Sequence, residues 1–359
     1  MNQTCTAIID LSALTHNFKK VRVLAQHSQI SAMIKGNAYG HGLLQIARHL
    51  KNADGFGLAR YAEAITLRQA GVDQRLLMLE GFTDYSQLQL VDRLRLDLVV
   101  HDISQIQPLL DFQWNDYIKI WLKIDTGMGR LGMLPEQVRD AWNQLLSSAS
   151  KLKVEVCMTH FAQAHWVDDS KTIEQITNFN ALCHSWPVAK SLANSAGVLY
   201  WQAAHQDWVR PGVMLYGVSP LSGPIGSELG LRPVMQLQTV LIAVRAFKKG
   251  QFIGYESTYQ CPNDMRVGVA AVGYADGYPR YIRAGTPVLV NGVSTKILGQ
   301  VSMDMVSIDI TNIDAKVGDI VTLWGGNGLA VETIAKYANT SPYELLAGLT
   351  QRVEYDFVQ

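Results

Sequence analysis

From about residue 30 to residue 217 the chain alternates between short apolar runs and amphipathic stretches of helical period. The runs ISAMIKG (30–36), GFGLA (55–59), RLLMLEG (75–81), LDLVVH (core 97–101), YIKIWLKIDTG (117–127), VEVCMTHFA (154–162), AKSLANSA (189–196) and WVRPGVMLYG (208–217) read as strands. Between them, LLQIARHL, AEAITLRQAG and PEQVRDAWNQLL read as helices; Pro135 suits a first turn, where its missing N–H would have no partner anyway. Strands alternating with helices predict right-handed βαβ units and a parallel sheet. Eight such units close a (β/α)8 barrel of the TIM type. The span is lean for eight, so some helices must be short. An open doubly wound sheet is the structural rival. No G-x-G-x-x-G follows the first strand, which weakens a dinucleotide-binding version of that rival.

After LSGPIGSELGLRP (221–233) the helical period nearly disappears. MQLQTVLIAVRAF, MRVGVAAVG, TPVLVNGV, STKILGQV, MVSIDI and DIVTLWGG alternate or run apolar, separated by Gly, Asn, Asp and Pro. Val290–Asn291–Gly292–Val293 is a hairpin signal, since Asn-Gly tolerates positive φ at both turn positions. Helices are expected near 329–339 and 342–350. The pattern thus predicts an α/β barrel over 10–225 and a separate β-rich C-terminal domain over 226–359, with residues 1–9 pairing with the latter.

Charge narrows the partners. Lys+Arg and Asp+Glu are equal at 31 each, which removes the broad attraction that non-specific nucleic-acid binding or an anionic membrane surface relies on. No apolar run reaches the roughly 18 residues of a bilayer span. MNQTCTAIIDLSALTHNFKK lacks the basic and apolar regions of a secretory signal. Four scattered cysteines, Cys5, Cys157, Cys183 and Cys261, form no C-x-x-C pair and read as reduced thiols, not as a disulfide framework or metal site. A cytoplasmic protein is the expectation.

In barrels the chemistry lies at the carboxyl ends of the strands. Those ends carry Lys35, Asp125 to Arg130, His160, Asn194–Ser195 and Arg210–Pro211–Gly212. Lys35 is unusual because a parallel strand is expected to be apolar on both faces, although a solvated loop lysine is the plain alternative. Barrel phosphate sites recur after strands seven and eight, where ANSAG (193–197) and RPGV (210–213) offer small residues and a hydroxyl. Singly, these are ordinary turns. Together with the lysine, they suggest a phosphorylated cofactor opposite an amine able to bond an aldehyde.

AMIKGNAYGHG, IDTGMGRLG, THFA, ANSA, RPGVMLYG, GYADGYPR and GQVSMDM occur in this order across nearly the whole chain. In these seven motifs the chain resembles the alanine racemases, pyridoxal 5'-phosphate (PLP) enzymes with a barrel and a C-terminal β domain. The resemblance implies that Lys35 links to PLP and acts as one catalytic base, while Tyr255 serves the opposite face of the substrate. It implies Arg210 as partner of the pyridine nitrogen, with His160 in one hydrogen-bonded chain with Arg210 and Tyr255. Tyr39, Ser195, Gly212 and Val213 match phosphate-binding positions. Arg130 matches the residue that orients the substrate carboxylate, and Lys123 a lysine that in many members is carbamylated and braces it. Met303, followed by Asp304, matches a loop whose backbone N–H meets the substrate carboxylate. Tyr274 matches a residue lining the narrow access. Because Lys35 and Tyr255 belong to different domains, the resemblance implies a head-to-tail homodimer whose sites take Tyr255 and Met303 from the other subunit.

Two positions depart from patterns common in the family. Ser191 stands where some members have a histidine beside the Arg210 chain, and Gln351 where some carry a phosphate-contacting tyrosine. The expected reaction is L-/D-alanine interconversion, with D-alanine supplied to peptidoglycan. The alternatives are a racemase of broader amino-acid specificity, a PLP decarboxylase of similar architecture, and a non-catalytic PLP-binding protein. An arginine at the ring-nitrogen position counts against the decarboxylase, and the large β domain against the non-catalytic protein. Arg210 has its own plain reading as an ion pair with Asp207.

Overall fold

The computed structural model describes residues 5–147, 151–326 and 328–359. Eight strands form a closed parallel barrel in chain order: β2 (Gln29–Met33), β3 (Gly55–Leu58), β4 (Arg75–Met78), β5 (Asp97–Val100), β6 (Ile118–Lys123), β7 (Leu152–Met158), β8 (Ala189–Ser191) and β9 (Trp208–Val209). The ring closes where Gln29 and Ile30 of β2 pair with Trp208 and Val209 of β9. Both strand faces are apolar, yet the period of two still sorts them. Leu77, Val99, Trp121, Val156 and Met158 fill the inside with Trp208. Their neighbours Leu76, Met78, Leu98, Val100, Ile120, Leu122 and Cys157 join the cluster under the helices.

The last two barrel strands are much shorter than their apolar runs. Pro211 has no N–H to give a ladder, and the chain turns there into a 3-10 segment, Val213–Tyr216. Likewise the run 189–196 leaves the sheet after Ser191, and Asn194 caps a short helix, Ser195–Tyr200, through its side chain. These early exits bring ANSAG and RPGV to the barrel mouth as loops.

The C-terminal part is built on one long strand. β10 (Met235–Phe247) carries a bulge between Leu241 and Ala243. The remaining strands are β11 (Phe252–Ile253), β12 (Tyr259–Gln260), β13 (Met265–Ala270), β14 (Pro287–Val290), β15 (Val293–Leu298), β16 (Val306–Asp309), β17 (Ile320–Trp324) and β18 (Glu354–Val358). With β1 (Thr6–Asp10), the large sheet runs β13-β16-β15-β14-β17-β10-β1-β18, and β13 also pairs with β10. β1 is antiparallel to β10 and parallel to β18, so the first described strand completes the sheet made by the last. Residues 1–4 lie outside the described residues. Val290 pairs with Val293 across Asn291 (φ 49°) and Gly292 (φ 81°), the two-residue turn expected from their chemistry. The two late helices are Val331–Ala338, ended by left-handed Asn339, and Pro342–Ala347. Among the described residues no helix is long and apolar enough to cross a membrane.

Candidate active site

Lys35 follows β2 after a single residue, Ile34, and the four residues after it form a left-handed turn. Gly36, Asn37, Ala38 and Tyr39 have φ of 63°, 54°, 55° and 53°. For most residues with a Cβ this conformation costs roughly 1–2 kcal/mol each, so Gly36 adopts it freely, Asn37 more readily than most, and Ala38 and Tyr39 only under constraint. Contacts along its length brace the turn, with His41 Nδ1 donating to Ala38 O at 3.1 Å and Tyr39 O at 2.9 Å. Asn37 Oδ1 accepts from Leu43 N at 2.8 Å, and the Tyr355 hydroxyl donates to Gly40 O at 2.8 Å. On the Lys35 side, the Glu63 carboxylate accepts from Gly36 N at 2.7 Å and Asn37 N at 3.3 Å.

The turn aims Tyr39 back over the barrel mouth. Its ring stacks on Tyr216 at 5.0 Å, and His41 stacks on the same tyrosine at 4.4 Å. Across from Tyr39 lies Gly212, where an added Cβ would come 2.5 Å from the phenol oxygen. Any other residue at 212 would clash with that phenol, so glycine lets the Tyr39 ring close against the backbone. Ser195 Oγ accepts from Gly212 N at 2.8 Å and Met214 N at 3.3 Å, so its own proton remains available to a ligand. Tyr343, from the helix Pro342–Ala347, approaches Tyr39 to 6.0 Å between ring centroids.

A cavity of about 890 Å³ opens here, walled by Lys35, Tyr39, Lys123, Arg130, His160, Ser195, Arg210, Gly212 and Val213 among others. Nine residues expected from sequence thus meet in one space. Asp125 does not contribute a free carboxylate, because it accepts from Gly127, Met128 and Gly129 N–H groups, each at 2.8 Å. It shapes the loop that carries Arg130.

The cavity is strongly cationic. Burial, then the neighbouring Arg130, lowers the pKa of Lys35. Lys123 falls to about 8 through burial and then Arg210, Arg130 and Lys35. His160 is pushed well below its ordinary value by burial and the same four cations, which keeps its imidazole neutral. Glu80 lines the cavity but pairs with Arg60.

Burial lowers the Arg210 pKa to about 10, still a cation at neutral pH. It donates to Ser191 Oγ at 2.5 Å, Thr159 O at 2.5 Å and Leu192 O at 3.3 Å. Ser191 in turn donates to Trp208 O at 2.9 Å. Serine therefore fills the outer hydrogen-bond position that its departure from the family pattern put in question. No bond joins the Arg210 and His160 side chains among the described residues. Asp207 accepts from Lys190 N at 2.7 Å and makes no ion pair with Arg210, which removes the plain reading of that arginine.

Comparison with known proteins agrees with this geometry. Residues 9–220 match the alanine racemase N-terminal domain, and residues 234–357 the alanine racemase C-terminal domain. The chain belongs to the alanine racemase family. It is 44% identical over 359 residues to the biosynthetic alanine racemase of Escherichia coli O6:H1, covering 99% of each chain. With the alanine racemase of Shewanella piezotolerans the identity is 45% over 97% of each. The crystal structure of biosynthetic alanine racemase from Pseudomonas aeruginosa superposes with a TM-score of 0.95 at 40% identity over 100% of both chains.

The remaining family positions lie elsewhere on the chain. Tyr255, between β11 and β12, is 66% exposed, Met303 51% and Tyr274 38%, and none of them lines the cavity. The loops carrying the last two are stitched together: Tyr274 N donates to Ser302 O and Ala275 N to Met303 O. Asp304 and Asp276 share Arg352, at 2.8 and 3.2 Å. The Met303 N–H donates to no described residue. Gln351 is exposed and also outside the cavity.

Sequence reading missed Glu63 and Tyr343. Each looks like an ordinary residue in the first turn of a helix, and no local signal separates it from one.

Proposed function

We propose that the protein racemises alanine, using PLP held in the barrel-mouth cavity and a proton carrier supplied by a second copy of the chain. The observation that carries this reading is the convergence of a buried amine, a cationic pocket and the Tyr39 and Ser195 hydroxyls on one cavity wall. An amine of lowered pKa is the partner an aldehyde requires, the cations suit a phosphate and a carboxylate, and the Tyr39 and Ser195 hydroxyls beside Gly212 can donate to an anion. The residues present therefore fit the cofactor.

In this reading Tyr39, Ser195 and the Val213 N–H hold the phosphate beside Gly212, whose own N–H is committed to Ser195 Oγ, with His160 as a neutral wall. Lys35 anchors the aldehyde carbon and moves a proton at the substrate Cα on one face. Bound PLP supplies the electron sink for charge developing at that carbon. Arg210 hydrogen-bonds the ring nitrogen; a guanidinium held this firmly orients the ring without transferring a proton to it. Arg130 binds the substrate carboxylate, and the unengaged Met303 N–H of the second copy assists it. Tyr255 of that copy holds the proton on the opposite face, Tyr274 narrows the way in, and Asp304 steadies the Met303 loop. Neither Tyr255 nor Met303 reaches the cavity of its own chain, which favours a homodimer with shared sites.

Lys123 beside Arg130 repels it as an ammonium. Its partly neutral amine can take up CO2, releasing a proton and becoming a carbamate that attracts Arg130 instead. The domain division at 225/226, a cytoplasmic location and the supply of D-alanine to peptidoglycan complete the reading. Incubating the purified protein with L-alanine and measuring D-alanine by chiral chromatography, with and without added PLP, tests it. PLP-dependent formation of D-alanine supports the proposal, and none in either arm refutes it.

A further inference from the structure

We infer that Glu63 is the positioning residue for the Lys35 loop. Its single carboxylate ties together the loops that follow β2 and β3. Oε1 accepts from Gly36 N at 2.7 Å and Asn37 N at 3.3 Å; Oε2 accepts from Ala59 N at 3.1 Å and Arg60 N at 3.2 Å. The inference rests on the reading of Lys35 as the cofactor-anchoring amine.

Two features make this carboxylate more than a helix cap. First, the turn it holds is the left-handed one, in which three residues with side chains sit at positive φ. Gly36 and Asn37 open that turn, so their N–H groups have no carbonyl behind them within it. Both are answered by Glu63. Second, what the turn carries at its two ends is functional in that reading: Lys35 precedes it, and Tyr39 closes it against Gly212. A turn that relaxes toward ordinary φ values moves the amine and the phenol relative to each other. That relation must hold for one cofactor to be gripped at its aldehyde and its phosphate together. Glu63 sits at the Lys35 end, while Asn37 and Tyr355 hold the far end.

Glutamate length matters as well as charge. Glu63→Asp keeps the charge but falls one methylene short of Gly36. Glu63→Gln keeps the reach but turns two N–H donors into an encounter with an amide, which offers a single acceptor oxygen.

The test uses both variants of the full-length enzyme, stripped of cofactor and titrated with PLP. Binding is followed by quenching of protein fluorescence, and cofactor orientation by visible circular dichroism per mole bound. Both variants are expected to bind PLP about 10- to 100-fold more weakly and to give a reduced dichroic band. Alanine kcat should fall about tenfold with KM changed by less than about threefold, since Arg130 is untouched. If both variants bind PLP within about twofold of the parent with an unaltered band, losing only thermal stability, Glu63 is a helix cap and the inference is wrong. Should the parent protein itself take up no PLP, the reading of the site fails first, and this inference with it.

Discussion

Ser191 decides what Arg210 has to offer. Three of the five guanidinium N–H groups are committed to Ser191, Thr159 and Leu192, which fixes the plane and leaves two for the cavity. Both Arg210 and Ser191 are buried, so losing the hydroxyl leaves a donor without a partner. Ser191→Ala is expected to destabilise the protein by about 1–2 kcal/mol, read as a shift in the urea midpoint. Lys123 makes a pH-dependent case. Its pKa is about 8 in the fold against an ordinary 10.5. Below pH 8 the amine is charged both folded and unfolded, and the fold carries the whole penalty of burying that charge. Between about 8 and 10.5 the unfolded chain keeps a proton that the folded chain has released, so stability rises with pH across that window. Lys123→Met, never charged, should therefore exceed bicarbonate-free parent protein in stability at pH 7, and the margin should narrow by pH 10. Adding 13C-bicarbonate to the parent near pH 8 should give a carbamate carbon resonance that the variant lacks.

The left-handed turn 36–39 is the element on which the site depends, and its energetics can be isolated at Gly36. A Cβ there meets nothing within 4 Å, so Gly36→Ala changes conformational preference and no contact. A loss of about 1–2 kcal/mol in a thermal or urea melt is expected, and no loss would mean that the turn is not held left-handed in solution. Legibility follows the same physics. Strand positions were readable because apolar runs and turn chemistry are local, as at Asn291–Gly292. The ends of β8 and β9 were not, since Pro211 and Asn194 compete with a continuing apolar pattern. The turn itself was invisible: G-N-A-Y contains a glycine and an asparagine that tolerate positive φ, followed by two residues that avoid it. Contacts from His41, Leu43, Glu63 and Tyr355, 2 to more than 300 residues away, impose it. The family motifs gave Lys35 and Tyr39 their places without revealing this geometry.

At the scale of the whole molecule, the chain returns on itself. β1 lies between β10 and β18, so the first and last described strands sit side by side in one sheet, while the barrel holds a cavity that lacks Tyr255 and Met303. Those two residues are presented outward on the β part. Under the proposed function each site therefore takes Lys35 from one copy of the chain and Tyr255 from another. Subunit mixing tests this most directly. Lys35→Ala and Tyr255→Phe, each close to inactive alone, are unfolded together in equal amounts and refolded. Random pairing makes half the dimers mixed, and each mixed dimer carries one intact site of two, so activity should return to about a quarter of the parent value. If mixed dimers form, as mass spectrometry would establish, and activity stays at the sum of the two separate variants, the shared site does not exist.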